Sequence, residues 1–396
     1  MMTRRPARCA ITLAAATVLL GSCREAPTPF ESVDQDEHDL SAPVQLTFNT
    51  GTDQMPEWSV DGDSIYYTGA GFIGLPSESR GVLLSVSPEH GPASVLVPEL
   101  QSNVHIERWL TSPAISRDGQ FLAFVELYPL ATPTNCSVQC AGPAGPRPAL
   151  EAFPELDSLQ IRVFSTATRT VVAETTVRFM DRTFDPTRPV PGVSGTWVFD
   201  MHPYQARWAA ERVAIFRPSW SPDGDRLVFS DGNQLMLWSI GQSPQPIPNT
   251  PDALLPAWSP DGQTIAYTRA ERGQILRSTC NCLSPRGQIS EVQDRILYTG
   301  SLGDGTLTLI SADGSNSREL GSGDAPAWTP DGQLVFRRAG MLYRSAADGS
   351  NAASIPGTFD GHVPAVSPDG RLVAFSRDLE KGTSFDIWVA PLAGAQ

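Results

Sequence analysis

Apolar and polar residues alternate in short runs along most of this chain, and the runs are punctuated by one recurring phrase. Pro256-Ala257-Trp258-Ser259-Pro260-Asp261-Gly262 is its cleanest copy, and others start at Pro56, Pro113, Pro218, Pro326 and Pro364. Each copy has Pro first, a large apolar residue third, Ser or Thr fourth, and Asp-Gly at the end. A second apolar run follows each one, such as Ser64-Ile65-Tyr66-Tyr67 or Leu372-Val373-Ala374-Phe375. Alternation of this period predicts strands. Asp-Gly between two such runs predicts a tight hairpin, because Asp bonds the turn backbone and Gly accepts a positive φ. Two further runs follow the hairpin in the regular units, Thr306–Ser311 with Arg318–Leu320 and Met341–Ser345 with Ala353–Ile355. The unit is therefore four antiparallel strands, a to d.

The motif starts are 57, 105, 38, 70 and 38 residues apart. Thirty-eight residues suffice for a bare four-stranded blade, so the longer intervals carry insertions. These are expected at about 129–157, 179–212 and 271–294, and a degenerate seventh blade within 179–212 is an open alternative. The last unit has strands a, b and c but no d. Val44–Phe48 is a strand that precedes the first unit and fits that vacancy. The fold class is thus all-β: a six-bladed β-propeller of four-stranded antiparallel blades, closed by the N-terminal strand, which leaves no sheet edge exposed. The propeller spans 44–396. A composition of 33 Gly and 35 Pro with 18% charged residues suits many short turns.

Residues 1–22 read as a signal peptide. Arg4, Arg5 and Arg8 precede the apolar run Ala10–Leu20, which is too short to span a bilayer. Leu20-Gly21-Ser22-Cys23 resembles the bacterial lipoprotein lipobox, which implies that Cys23 is lipidated. Arg24 after it resembles the outer-membrane default. The expected location is the cell envelope, at the outer membrane, facing the periplasm or the cell surface. Residues 23–43 would then be the lipidated cysteine and a disordered acidic tether, whose coil reaches roughly 25 Å.

The net charge of −14 argues against nucleic acid, since a phosphate footprint needs a basic patch. Cys9 leaves with the signal peptide, and Cys136, Cys140, Cys280 and Cys282 all lie in insertions. In an oxidising compartment they are disulfide candidates with three possible pairings. A Cys280–Cys282 bridge is strained, which favours pairing across the insertions or a labile local bridge. Thiolate metal or redox chemistry is the alternative.

The repeat resembles the WD-like motif of TolB-type β-propellers over most of residues 44–391. That resemblance implies six blades with strand a lining a channel. TolB proper carries an α/β domain ahead of its propeller, and only the 23–43 segment stands there in this sequence. Prolyl-oligopeptidase-type enzymes pair a similar propeller with an α/β-hydrolase domain, for which the sequence offers no G-x-S-x-G elbow.

Trp58, Trp220, Trp258 and Trp328, with Ile115 and Val366 in register, are expected to wedge between blades. Asp61, Asp118, Asp223, Asp261, Asp331 and Asp369 recur with the turn, so turn capping is their expected role. Candidate binding residues are those that depart from the repeat: His105, His202 and His362 before strands a, Trp197, Tyr204 and Trp208 in the 179–212 insertion, and Glu57 and Arg217 beside the channel. The leading expectation is a monomeric, non-catalytic, cofactor-free lipoprotein that touches membrane only through its lipid and binds an envelope protein or glycan. The alternative is a carbohydrate-acting enzyme resembling oligogalacturonate lyases, with a metal held by His105, His202 and His362.

Overall fold

A computed structural model describes residues 38–48, 52–72, 79–89, 92–101, 109–127, 137–142, 145–146, 150–151, 158–178, 217–231, 234–269, 275–283, 289–298, 305–378 and 385–392. Six antiparallel blades follow one another around a ring. Strands a are Thr52–Trp58, Trp109–Ile115, Ser219–Trp220, Ala253–Trp258, Asp324–Trp328 and Gly361–Val366. In blade 2, strands b, c and d are Phe121–Leu127, Ser158–Ser165 and Thr170–Arg178. Blade 6 takes strands b and c from Leu372–Asp378 and Phe385–Pro391, and its fourth strand from Val44–Gln45.

That last pairing is short but well held. Val44 faces Val389 and Gln45 faces Trp388 in an antiparallel ladder. The contact continues beyond the ladder, where the Leu46 amide donates to the Ile387 carbonyl at 2.8 Å. The Ile387 amide donates to Thr47 Oγ1 at 2.9 Å. Leu46 is buried with Trp58, Ile65, Ile387 and Val389 in the core between blades 6 and 1. The expected tether also ends earlier than residue 43. The His38 amide donates to the Glu89 carbonyl, Leu40 packs on the same core, and Pro43 lies against Gly357. Apolar contact and backbone bonds hold this stretch against the ring, despite its acidic neighbours.

The a–b hairpins are capped alike. In blade 4, Ser259 Oγ donates to Asp261 Oδ1 at 2.6 Å, and the Gln263 amide donates to the same oxygen. The Thr264 amide closes the turn onto Ser259 Oγ. Gly262 has φ 73°, and each of the other five motif glycines is likewise positive. Only glycine adopts that conformation at low cost.

Tryptophans strap three of the blades to their predecessors. Trp58, Trp220 and Trp328 donate from Nε1 to the carbonyls of Ala365, Ala114 and Ala257, each at 3.0 Å. Those acceptors all occupy the second motif position of the preceding blade. Trp258 differs: its backbone amide donates to the hydroxyl of Ser219, the residue at that position in blade 3. The Trp258 Nε1 is left without a hydrogen-bond partner, and the Arg226 guanidinium lies 5.0 Å from the ring centroid.

Five strands a contain a bulge that the alternation did not reveal. The pairing register shifts at Gln54/Glu57, Thr111/Ala114, Leu254/Ala257, Asp324/Ala327 and His362/Ala365. The residue before each motif proline is left-handed: Met55, Ser112, Leu255, Ala325 and Val363, with φ from 46 to 57°. Proline offers no ladder amide, so an inner strand accommodates it at a bulge. A non-glycine residue held there costs about 1–3 kcal/mol, and the recurrence shows that the ring imposes it.

The insertions of blades 2 and 4 are joined. Ser137–Gly142 pairs with Ile275–Leu283, which pairs in turn with Ile289–Tyr298. Both leave their blades between strands b and c, so blades that are not neighbours share one additional sheet. The blade 4 insertion thus extends beyond residue 294, at least to the end of the strand Ile289–Tyr298.

Trp→Phe substitutions separate the strap bond from the burial. We expect Trp220→Phe to cost about 1 kcal/mol more than Trp258→Phe, because only the first strands a buried carbonyl. Equal costs in urea unfolding would contradict the register of these straps.

Candidate functional site

The channel holds a cavity of about 460 Å³. Its wall is built from the second to fifth motif positions of all six blades. It opens where strands a finish, on the face of the a–b turns. Small residues at position two keep it open: Ala114, Ala257, Ala327, Ala365 and Ser219, with Glu57 as the one long side chain. Position five makes the rim, with Pro222, Pro260, Pro330, Pro368, Val60 and Arg117. Arg117 is exposed, and its Nη1 lies 3.5 Å from the Pro260 carbonyl of blade 4.

Arg217 and an apolar cluster close the inner end. Arg217 immediately precedes the motif of blade 3, yet its guanidinium reaches blades 1 and 6. Nη2 donates to the Pro56 carbonyl at 3.2 Å and to Glu57 Oε2 at 2.8 Å, while Nη1 donates to the Pro364 carbonyl at 3.3 Å. Blade 6 is opposite blade 3 in a six-membered ring, so the side chain spans the axis. Leu255 of blade 4 packs on Met55 of blade 1 and Val363 of blade 6. These three are bulge residues, so the left-handed kink is what brings their side chains together across the channel.

Burial raises the Glu57 carboxyl above the ordinary range, and the Arg217 charge and hydrogen bond offset this only in part. The motif aspartates behave differently. The partner hydroxyls of Ser59, Ser116, Ser221, Ser259 and Thr329 hold Asp61, Asp118, Asp223, Asp261 and Asp331 below their usual range. Burial opposes the shift most at Asp369, yet Ser367, the Arg371 amide and the Arg371 charge still lower it. The position-four hydroxyls are thus committed to the turns, where they donate to carboxylates and accept amides.

Of the candidates drawn from the sequence, the structure brings Glu57 and Arg217 together. His362 is the second residue of strand a of blade 6, at the end away from the cavity mouth. It is buried, and its ring meets Phe385 edge-on at 5.4 Å. Burial against Phe385 keeps His362 out of the cavity. His105, Trp197, His202, Tyr204, Trp208, Cys23 and Cys136 lie outside the described residues. Cys140, Cys280 and Cys282 occupy strands of the shared insertion sheet. No group of three metal-binding side chains occurs among the described residues. Leu255, Ala325 and Arg117 were not singled out from the sequence; a residue preceding each motif proline was the available signal for the first two.

No family model and no curated protein matches the chain. Among solved structures, it is similar to TolB from Acinetobacter baumannii at 12% identity and a TM-score of 0.43, covering 90% of this chain and 65% of that one. It is also similar to a putative TolB from Agrobacterium tumefaciens, at 14% identity and TM-score 0.42, covering 86% and 91%. Prolyl oligopeptidase B from Galerina marginata gives 12% and 0.39, covering 85% of this chain and 47% of that one. The propeller assignment rests on this chain's own strand order.

The Glu57 shift sets a direction for pH dependence. A carboxyl raised in the folded state contributes stability that is fully present below its unfolded pKa of about 4.3 and is lost as pH rises through the folded value. Measured against Glu57→Gln, wild-type unfolding free energy should therefore decline from pH ~4 towards neutrality. A difference that stays constant with pH would contradict the burial of this carboxyl.

Proposed function

We propose that this protein is a cell-envelope lipoprotein, anchored through Cys23, whose propeller binds an envelope protein or glycan at the mouth formed by the a–b turns. The observation that carries the binding reading is the cavity. A rigid concave site of about 460 Å³ lies within the size range of ligand pockets. Its walls are ring-forming strands, so little order has to be created on binding.

The polar groups in the cavity support recognition over turnover. Each position-four hydroxyl already donates to its own turn aspartate. Glu57 is paired with Arg217, which also holds two carbonyls. The groups left facing outward are the rim prolines, Val60 and Arg117, which suit an inserted side chain or chain end. Among the described residues no helix is long and apolar enough to cross a membrane. The anchor reading rests on the Arg4–Cys23 sequence alone.

The test is affinity capture from detergent-solubilised envelopes with the full-length protein, beside Ala327→Trp and Cys23→Ala. Filling the cavity at Ala327 should abolish capture of a specific partner while the melting profile stays cooperative. Cys23→Ala should release the protein from the membrane pellet and leave capture intact. Repeated captures without a specific partner, or equal capture by Ala327→Trp, would overturn the binding reading. Continued membrane retention of Cys23→Ala would overturn the anchor.

A further inference from the structure

The shared insertion sheet places three of the chain's cysteines in register. Cys140 and Cys280 face each other directly in the antiparallel pairing of Ser137–Gly142 with Ile275–Leu283. Cys282 is two residues further along, opposite Val138. Residues directly opposite in such a ladder share a face of the sheet, and so do residues two apart on one strand.

Distances separate the pairings. Directly opposite residues have Cα atoms about 4.5–5.5 Å apart, within the usual disulfide range of about 4.4–6.8 Å. Diagonal neighbours such as Cys140 and Cys282 are roughly 7–8 Å apart, beyond what a bridge spans without backbone movement. Cys280 and Cys282 on one extended strand are about 6.6 Å apart, at the limit of that range. Of these three pairs, the register places only Cys140 and Cys280 well inside that range.

We propose that Cys140 and Cys280 form a cross-strand disulfide that staples the insertion of blade 2 to that of blade 4. The two blades are not neighbours in the ring, and the bridge closes a loop from 140 to 280 that contains all of blade 3. Blade 3 is also where the strap differs, since the Trp258 indole makes no hydrogen bond to it. Formation needs a disulfide oxidant. One cysteine thiolate attacks a sulfur of that oxidant and breaks its S–S bond. The second thiolate displaces the mixed disulfide, so the Cys140–Cys280 bond forms. Two electrons and the two thiol protons end on the oxidant, which leaves as two thiols.

The test is peptide mapping of the full chain, purified with glutathione disulfide as oxidant and alkylated before non-reducing tryptic digestion. Cys136 and Cys140 share the peptide 118–162, and Cys280 and Cys282 share 278–286, so Ser variants are needed to assign the bond. The expected result is a near-stoichiometric link between the two peptides, retained in Cys136→Ser/Cys282→Ser and lost in Cys140→Ser. Recovery of the two peptides unlinked, whether alkylated or internally bridged, would overturn the proposal. Loss of the link in Cys136→Ser/Cys282→Ser would overturn it as well.

Discussion

Val44 and Gln45 pair with Val389 and Trp388, and through that short ladder the last blade receives its fourth strand from the other end of the domain. Joining ends some 340 residues apart carries a closure entropy of about 5 kcal/mol before any contact forms. Burying Leu46 contributes about 1.5–3 kcal/mol against this. The strand ladder and the bonds around Thr47 and Asp386, where Gln45 Nε2 and Thr47 Oγ1 both reach the carboxylate, add to this. Closure also covers the edge of Phe385–Pro391. It also lets the first blade wedge against the last, with Trp58 of blade 1 bonded to Ala365 of blade 6.

The ring sets the dimensions of the channel, and the bulges decide how much of it stays open. Each motif proline deprives an inner strand of an amide, and in five of the six blades the chain answers with a left-handed residue just before it. At Met55, Leu255 and Val363 the result is an apolar stopper, and beside it Arg217 fastens three blades to one guanidinium. The same phrase therefore builds the wall, caps the turn and closes the floor. What it leaves open is a pocket facing the a–b turns, away from His362 and from the strand b–c insertions.

Most of the ring was legible in the sequence, because its causes repeat. Six Asp-Gly hairpins at intervals that a blade can fill predict six units, and the missing fourth strand of the last unit predicts its supplier at 44–48. The tryptophans and aspartates read correctly as wedges and caps for the same reason. The bulge was not legible, since a left-handed Ala325 or Val363 breaks no alternation and carries no glycine to announce it. The joining of two insertions could not be read either, because strand pairing between segments more than 130 residues apart leaves no local signal. The mouth was expected among the unrepeated residues leading into strands a. The cavity lies at the opposite end of those strands, where small side chains at position two make the space and Pro, Val60 and Arg117 make the rim.

Native-state hydrogen exchange at Leu46 and Ile387 tests the account most directly. If the N-terminal strand is what completes the ring, their amides open only when the domain unfolds. Their opening free energy should then match that of buried blade amides such as Ile265 and Phe336. Exchange through local fraying at a much lower free energy would show that the ring stands without its closure, and would contradict the account.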